Sequence, residues 1–259
     1  MNLANASGLL TGAGSGIGRA LALALSAKGA RLILTDRNLD ALRETREMAG
    51  GGNHLLIVQG DVTVASDRRN LRQVAETEFK RLNLLVNNAG VIAVTKHGDI
   101  SDEDLERQVA VNLVAPMALV RDLLPLLIAS NPSRVVNIGS MFGDIAFPLF
   151  AAYSATKFGI RGFSDALRRE LAPNGVGVTY CAPRATRTPA AKQFAHLEGP
   201  FAMSFDPPEK VASEIVSAIE ADARSVYPRG PERFFVLVQR LFPSLVDGSL
   251  IGQYKKAKV

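Results

Sequence analysis

Tyr153 stands four residues before Lys157, in a stretch that reads as a helix after a buried strand. Positions i and i+4 share one helix face, about a turn apart. A phenol beside an ammonium is a proton donor and acceptor under electrostatic control. Free tyrosine titrates near ~10, and a nearby positive charge lowers that value. A tyrosine tuned in this way can pass a proton to or from an alcohol oxygen. The same spacing also arises when an aromatic ring packs on a lysine stem. The pair therefore takes its chemical meaning from the elements that hold it.

Those elements follow from short apolar runs alternating with longer amphipathic ones. Strands are expected at 7–11, 31–35, 55–59, 84–87, 134–138, 177–181 and 224–227. Helices are expected at 17–28, 39–48, 65–80, 102–128, 151–171 and 209–221. This alternation predicts right-handed βαβ units. The fold class is α/β: a Rossmann-like, doubly wound, parallel seven-stranded sheet with helices on both faces. No linker, repeat or low-complexity stretch divides residues 1–259, which read as one domain with a C-terminal extension over 228–259. The stretch from Thr186 to Asp206 lacks a strand and carries Phe194, Phe201, Met203 and Phe205. It reads either as an active-site lid or as a helical insert packed on the core.

Thr11-Gly12-Ala13-Gly14-Ser15-Gly16-Ile17-Gly18 joins the first strand to the first helix. Glycines there let the backbone approach a pyrophosphate, which sits at the positive helix N-terminus. No Gly-Lys-Ser/Thr completes a P-loop. Asp36 ends the second strand, where a carboxylate accepts from adenosine ribose hydroxyls and repels a 2′-phosphate. That favours NAD; Arg37 beside it works towards NADP, which is not excluded. The other reading of Asp36 is a helix cap or surface turn. Asp61 follows the third strand, within reach of the adenine edge. Asn87-Asn88-Ala89-Gly90 ends the fourth strand, either as a wall of the nucleotide site or as a plain strand-ending turn.

The ordered set Thr11-Gly-x-x-x-Gly16-x-Gly18, Asn87-Asn-Ala-Gly90, Asn112, Ser140 and Tyr153-x-x-x-Lys157 resembles the short-chain dehydrogenase/reductase family over roughly residues 5–227. The resemblance implies that Tyr153 is the general acid/base. It implies that Lys157 lowers the pKa of Tyr153 and binds the nicotinamide ribose, and that Ser140 holds the substrate oxygen. Asn112 would stabilise a helix kink and a water linking Lys157 to solvent. Thr188 would bind the carboxamide. With the reading above, the expected cofactor-binding set is Gly12, Gly14, Ser15, Gly16, Ile17, Gly18, Asp36, Arg37, Asp61, Val62, Asn88, Ala89, Gly90, Tyr153, Lys157, Pro183, Thr186 and Thr188. One departure stands out: Arg184 follows Pro183 where the family usually has glycine. Its side chain either enters the substrate pocket, binds an acidic substrate group or points to solvent. A homodimer or homotetramer is also implied, through the helices holding Asn112 and Tyr153. A catalytically silent dinucleotide-binding regulator, or a scaffold, is the alternative; the complete Asn112, Ser140, Tyr153 and Lys157 set argues against it.

Met141, Phe142, Ile145, Phe147, Leu149 and Phe150 lie between Ser140 and Tyr153, so the substrate is expected to be a hydrophobic alcohol or ketone, fatty or alicyclic. In the tail, Phe234, Phe235, Leu237, Val238, Leu241 and Phe242 form one helical stripe, with Arg233, Val236, Gln239 and Arg240 opposite. The stripe is expected to pack on the domain or on a second subunit; a basic amphipathic helix can also lie on an anionic membrane.

Bulk composition narrows the classes. From 228 to 259 there are six basic and two acidic residues, so +4 of the net +5 is in the tail. The near-neutral body argues against nucleic-acid binding. Cys181 is the only cysteine, a small hydrophobe by its setting. No disulfide can form within the chain, and a reducing cytoplasm is the expected location. The N-terminus does not read as a signal peptide, no apolar run reaches membrane-span length, and no metal site is expected.

Overall fold

Seven parallel strands form one sheet in the order β3-β2-β1-β4-β5-β6-β7. They are β1 (Ser7–Thr11), β2 (Arg31–Asp36), β3 (Leu55–Gln59), β4 (Leu84–Asn87), β5 (Ser133–Ile138), β6 (Val176–Cys181) and β7 (Ser225–Val226). The computed structural model describes residues 1–257; Lys258 and Val259, the end of the basic tail, lie outside the described residues. The Rossmann-like α/β architecture is thus the observed one. β1, β4 and β5 are buried along their whole length, as continuous apolar strands must be when helices cover both faces.

One face carries α1 (Gly16–Ala27), α2 (Leu39–Met48) and α7 (Pro208–Glu220); Leu21, Leu25, Leu42, Ile215 and Ile219 are buried against it. The other carries α3 (Ala65–Val74), α4 (Asp102–Val109), α5 (Ala115–Ala129) and α6 (Ala151–Leu171), with Leu71, Leu119, Leu123, Leu167 and Leu171 in the second core. Cys181 is buried in the first core, where desolvation pushes its thiol up and leaves it a small hydrophobe. The strand order reverses between β1 and β4, which opens a crevice at their carboxyl ends.

Four features differ from the sequence expectation. The helix expected over 65–80 finishes in a π turn, Ala75–Phe79. The one expected over 102–128 is broken by a second π turn, Ala110–Val114, centred on Asn112. That joined run has an 18-residue window of mean hydropathy 1.7, span-like in length and composition, where the sequence had shown no span-length apolar run. Leu119, Leu123 and Leu127 of this run pack in the second core. The tail forms two helices, α8 (Glu232–Leu241) and α9 (Pro243–Ala257), bent by 116° at their junction. Finally, the apolar stripe of α8 does not pack on the body. Val236, from the opposite side, is buried with Met141, Ile145 and Ile160, while Phe234 is 62 % exposed. The physical reason is that ion pairs tether α8 by its polar side, turning the stripe outward.

Candidate active site

A cavity of about 1090 Å³ runs from the glycine turn after β1, across the crevice, to the two tail helices. At its dinucleotide end, α1 begins at Gly16, and Ser15 before it makes no side-chain cap. The first N–H groups of α1 have no intrahelical partner and are available to an anion. Gly18 must be glycine: a Cβ there would lie 1.9 Å from Gly12 O and 2.5 Å from Asn88 Nδ2. Gly16 has φ +53, and a Cβ on it would meet Thr188 Cγ2 at 2.8 Å. The turn is braced from β4, where Asn88 Nδ2 donates to Thr11 O (2.9 Å) and Gly12 O (3.1 Å). Thr11 Oγ1 accepts from the backbone N–H of Asn88 and Ala89, both at 3.0 Å.

Asp36 lines the cavity at the end of β2, and its carboxylate accepts from Gly14 N (3.2 Å) and Asn38 N (3.0 Å). Arg37 leans on Asp61, with 3.8 Å between Nη1 and Oδ2. The opposite Asp61 oxygen accepts from Thr63 N and Thr63 Oγ1. A dinucleotide fits this end: a cradle with no room for side chains, an uncapped helix N-terminus and a carboxylate at the ribose position.

At the reactive end, two buried contacts fix α6 on the sheet, and a third joins the two strands beneath it. Asn137 Nδ2 donates to Ser164 Oγ (2.9 Å) while its Oδ1 accepts from Asn87 Nδ2 on the neighbouring strand (2.9 Å), and Lys157 Nζ donates to Ile138 O (3.0 Å). Tyr153 and Lys157 thus face Ser140 beyond β5, and all three line the cavity. Lys157 Nζ lies 5.4 Å from the centroid of the Tyr153 ring. Burial pushes the Tyr153 phenol up to about 12, with a hydrogen bond to Ser140 pulling it down. Burial also draws the Lys157 ammonium down to about 8. The Tyr153 shift is opposite to the one expected from the pair alone. Desolvation of the phenolate outweighs the attraction of an ammonium that is itself stripped of water.

Of the site residues expected from sequence, all but Gly14 and Asn112 line the cavity. Gly14 instead donates to Asp36, and its carbonyl accepts from Arg19 Nη2 (2.7 Å), a brace with no sequence signal. Asn112 stands behind the wall. Its Oδ1 accepts from Val91 N and its Nδ2 donates to Val91 O, each at 2.8 Å. The same Nδ2 lies 3.2 Å from Thr156 Oγ1, which donates to Tyr153 O. Pro183, Thr186 and Thr188 follow β6 into the cavity wall, as do Val62, Ala89 and Gly90.

Arg184 lines the cavity, but its guanidinium is taken up by groups of the protein itself. It pairs with Asp206 (3.1 Å) and Glu232 (3.0 Å) and donates to Arg229 O. This arginine ties the end of β6 to the 186–206 segment and to α8. The segment itself is both insert and wall. Phe194, Leu197 and Phe201 are buried with Leu149 and Phe150, and Phe194, Phe201 and Met203 also face the cavity. Met141, Phe142, Ile145 and Phe147 line the cavity, whereas Leu149 and Phe150 pack the loop down. Sequence reasoning missed the contribution of α8 and α9. Phe234, Val238, Leu245, Val246 and Leu250 enclose the far end of the cavity. The apolar stripe was the available signal, but it was read as a packing face.

Residues 8–198 match the model of the short chain dehydrogenase family. The chain is 31 % identical over 253 residues to the uncharacterized oxidoreductase YxnA of Bacillus subtilis, covering 92 % of this chain and 69 % of that one. It is 34 % identical over 213 residues to the oxidoreductase UcpA of Escherichia coli, covering 82 % and 79 %. Among solved structures, the 3-ketoacyl-(acyl-carrier-protein) reductase of Brucella melitensis, complexed with NADH, superimposes with a TM-score of 0.80. That match has 25 % identity and covers 86 % of this chain and 96 % of that one.

Proposed function

Because the chain belongs to the short-chain dehydrogenase family of oxidoreductases, we propose that it interconverts a hydroxyl and a carbonyl group on a hydrophobic substrate, with Tyr153 as general acid/base. The observation that carries this reading is the convergence of Ser140, Tyr153 and Lys157 on one cavity wall, between the glycine cradle and an apolar chamber. When bound, a nicotinamide dinucleotide supplies or accepts the hydride. Ser140 orients the substrate oxygen. Tyr153 moves the matching proton, and with its phenol pushed up to about 12 it holds that proton at neutral pH. This is the form that donates to a carbonyl oxygen, so the free enzyme is set for reduction. Lys157, while charged, stabilises the phenolate left behind. Asn112 positions this group through Thr156 and the Gly90–Val91 backbone. The test is reduced-nicotinamide absorbance against a panel of apolar ketones and alcohols. Inertness of wild type across the panel would remove the proposal.

NAD is the preferred cofactor in this reading. Asp36 stands where a 2′-phosphate would be repelled, and Arg37 is drawn towards Asp61. Asp36→Ser is expected to shift the NADPH to NADH affinity ratio by about tenfold or more towards NADPH, from loss of one close like-charge contact. Separate fluorescence titrations of the two cofactors check this. Tighter NADPH binding by wild type would sink the preference.

A homo-oligomer formed through the helices that carry Asn112 and Tyr153 belongs to the same reading. Val109, Val114 and Met117 on the α4–α5 run, and Phe158 on α6, are exposed. Phe158→Glu is expected to shift the chain towards monomer in sedimentation velocity; an unchanged distribution places the interface elsewhere.

A further inference from the structure

The outward stripe of α8 and its continuation on α9 form the mouth of the cavity. Phe234, Leu241, Phe242 and Leu245 are 62, 61, 58 and 65 % exposed, and Ile251 on α9 is 52 % exposed. Of these, Phe234 and Leu245 also line the cavity, together with the half-buried Val238. Apolar side chains of α8 and α9 thus stand both on the outside of the protein and in the wall of the cavity that Tyr153 lines. α8 is held in this orientation from behind, by Glu232 on Arg184, by Arg240 on the buried Asp144 (3.5 Å) and by Val236 in the core. Isolated exposed apolar residues need no explanation, but exposed apolar side chains gathered on two adjoining helices at a cavity mouth mark an interaction site.

Charge identifies the occupant. Arg233 borders the stripe on α8, and Lys255 and Lys256 close the end of α9; all three are exposed, while Arg240 is paired with Asp144 behind the helix. Among the described tail residues the opposing carboxylates are Asp247, which is exposed, and Glu232, which is tied to Arg184. An apolar face bordered by cations matches an anionic lipid surface, where side chains enter the acyl boundary and ammonium and guanidinium groups meet phosphates. A second copy of the chain fits less well. It would cap the mouth that Phe234 and Leu245 form, and α4, α5 and α6 present a separate apolar set for such a copy. We propose that the α8–α9 rim docks on anionic lipid bilayers and takes in its substrate from the lipid phase. The second half rests on the hydrophobic-substrate reading above; the docking half does not.

The test uses the full chain and flotation with vesicles of phosphatidylcholine alone or mixed with phosphatidylglycerol. Wild type is expected to partition onto the mixed vesicles, less onto the zwitterionic ones, and less at high salt. Leu241→Ser/Phe242→Ser, which alters exposed positions outside the cavity, is expected to lose about tenfold or more of that partitioning. Its turnover of a short water-soluble ketone should match wild type, which shows that the fold and site are intact. Lys255→Gln/Lys256→Gln should lose the preference for phosphatidylglycerol. Tyr153→Phe should float as wild type does while losing turnover, so a failed catalytic reading and a failed docking reading give different results. Equal flotation of wild type and the Leu241/Phe242 variant overturns the proposal. So does a wild-type oligomer that ignores vesicles and dissociates in that variant, since the rim would then belong to a second copy.

Discussion

Tyr153→Phe is expected to lower turnover by about 10²–10⁴-fold, the usual contribution of a positioned acid/base group, with dinucleotide affinity little changed. The substitution removes one oxygen and keeps the ring. That ring packs edge-on against Phe142, with centroids 6.1 Å apart, and lies under the Lys157 ammonium. Both contacts survive in the variant, so the loss should fall on kcat and not on folding. The glycine cradle, Asp36 and the start of α1 lie at the other end of the cavity and keep their own hydrogen bonds. Stopped-flow measurement of reduced cofactor with the best ketone of the panel separates the terms. A variant that turns over within a few-fold of wild type would show that the proton comes from elsewhere, and would leave Tyr153 as a packing residue.

The parallel sheet and its covering helices were legible because buried parallel strands and amphipathic helices leave different periodicities. The dinucleotide end was legible because steric exclusion acts on residue type: where a Cβ would strike Gly12 O, only glycine is found. Three things were hidden for physical reasons. The direction of the Tyr153 shift depends on how much water the whole wall removes, which no i, i+4 spacing encodes. The role of Arg184 depends on Asp206 and Glu232, both more than 20 residues away along the chain, which converge only after the 186–206 segment and α8 have folded. The orientation of α8 depends on those tethers as well. An apolar stripe normally predicts the buried side, but Glu232 pairs with Arg184 and Arg240 with the buried Asp144 on the opposite side, and Val236 follows them in.

The reductive kcat/KM is expected to fall as pH rises through about 8, and this break should vanish in Lys157→Met. kcat/KM reports ionisations of the free enzyme, and there burial draws Lys157 down to about 8. Below that pH the ammonium is present and stabilises the phenolate formed when Tyr153 gives up its proton. Above it the amine is neutral, and the phenol, held near 12, yields its proton less readily. Stability should move the other way. A lysine that titrates near 8 folded and near ~10.4 unfolded binds its proton more weakly in the native state, so the protein gains stability as pH rises through that window. Lys157→Met, which buries no charge, should therefore be the more stable protein at pH ~7, by an amount on the order of 3 kcal/mol, and the gap should close towards pH ~10. Denaturant melts of both proteins across that range supply the second reading. Activity and stability crossing in opposite directions over one window is a signature that simple loss of packing does not produce. A wild-type profile that stays flat through pH ~8 would mean that Lys157 keeps its proton in the working enzyme despite burial.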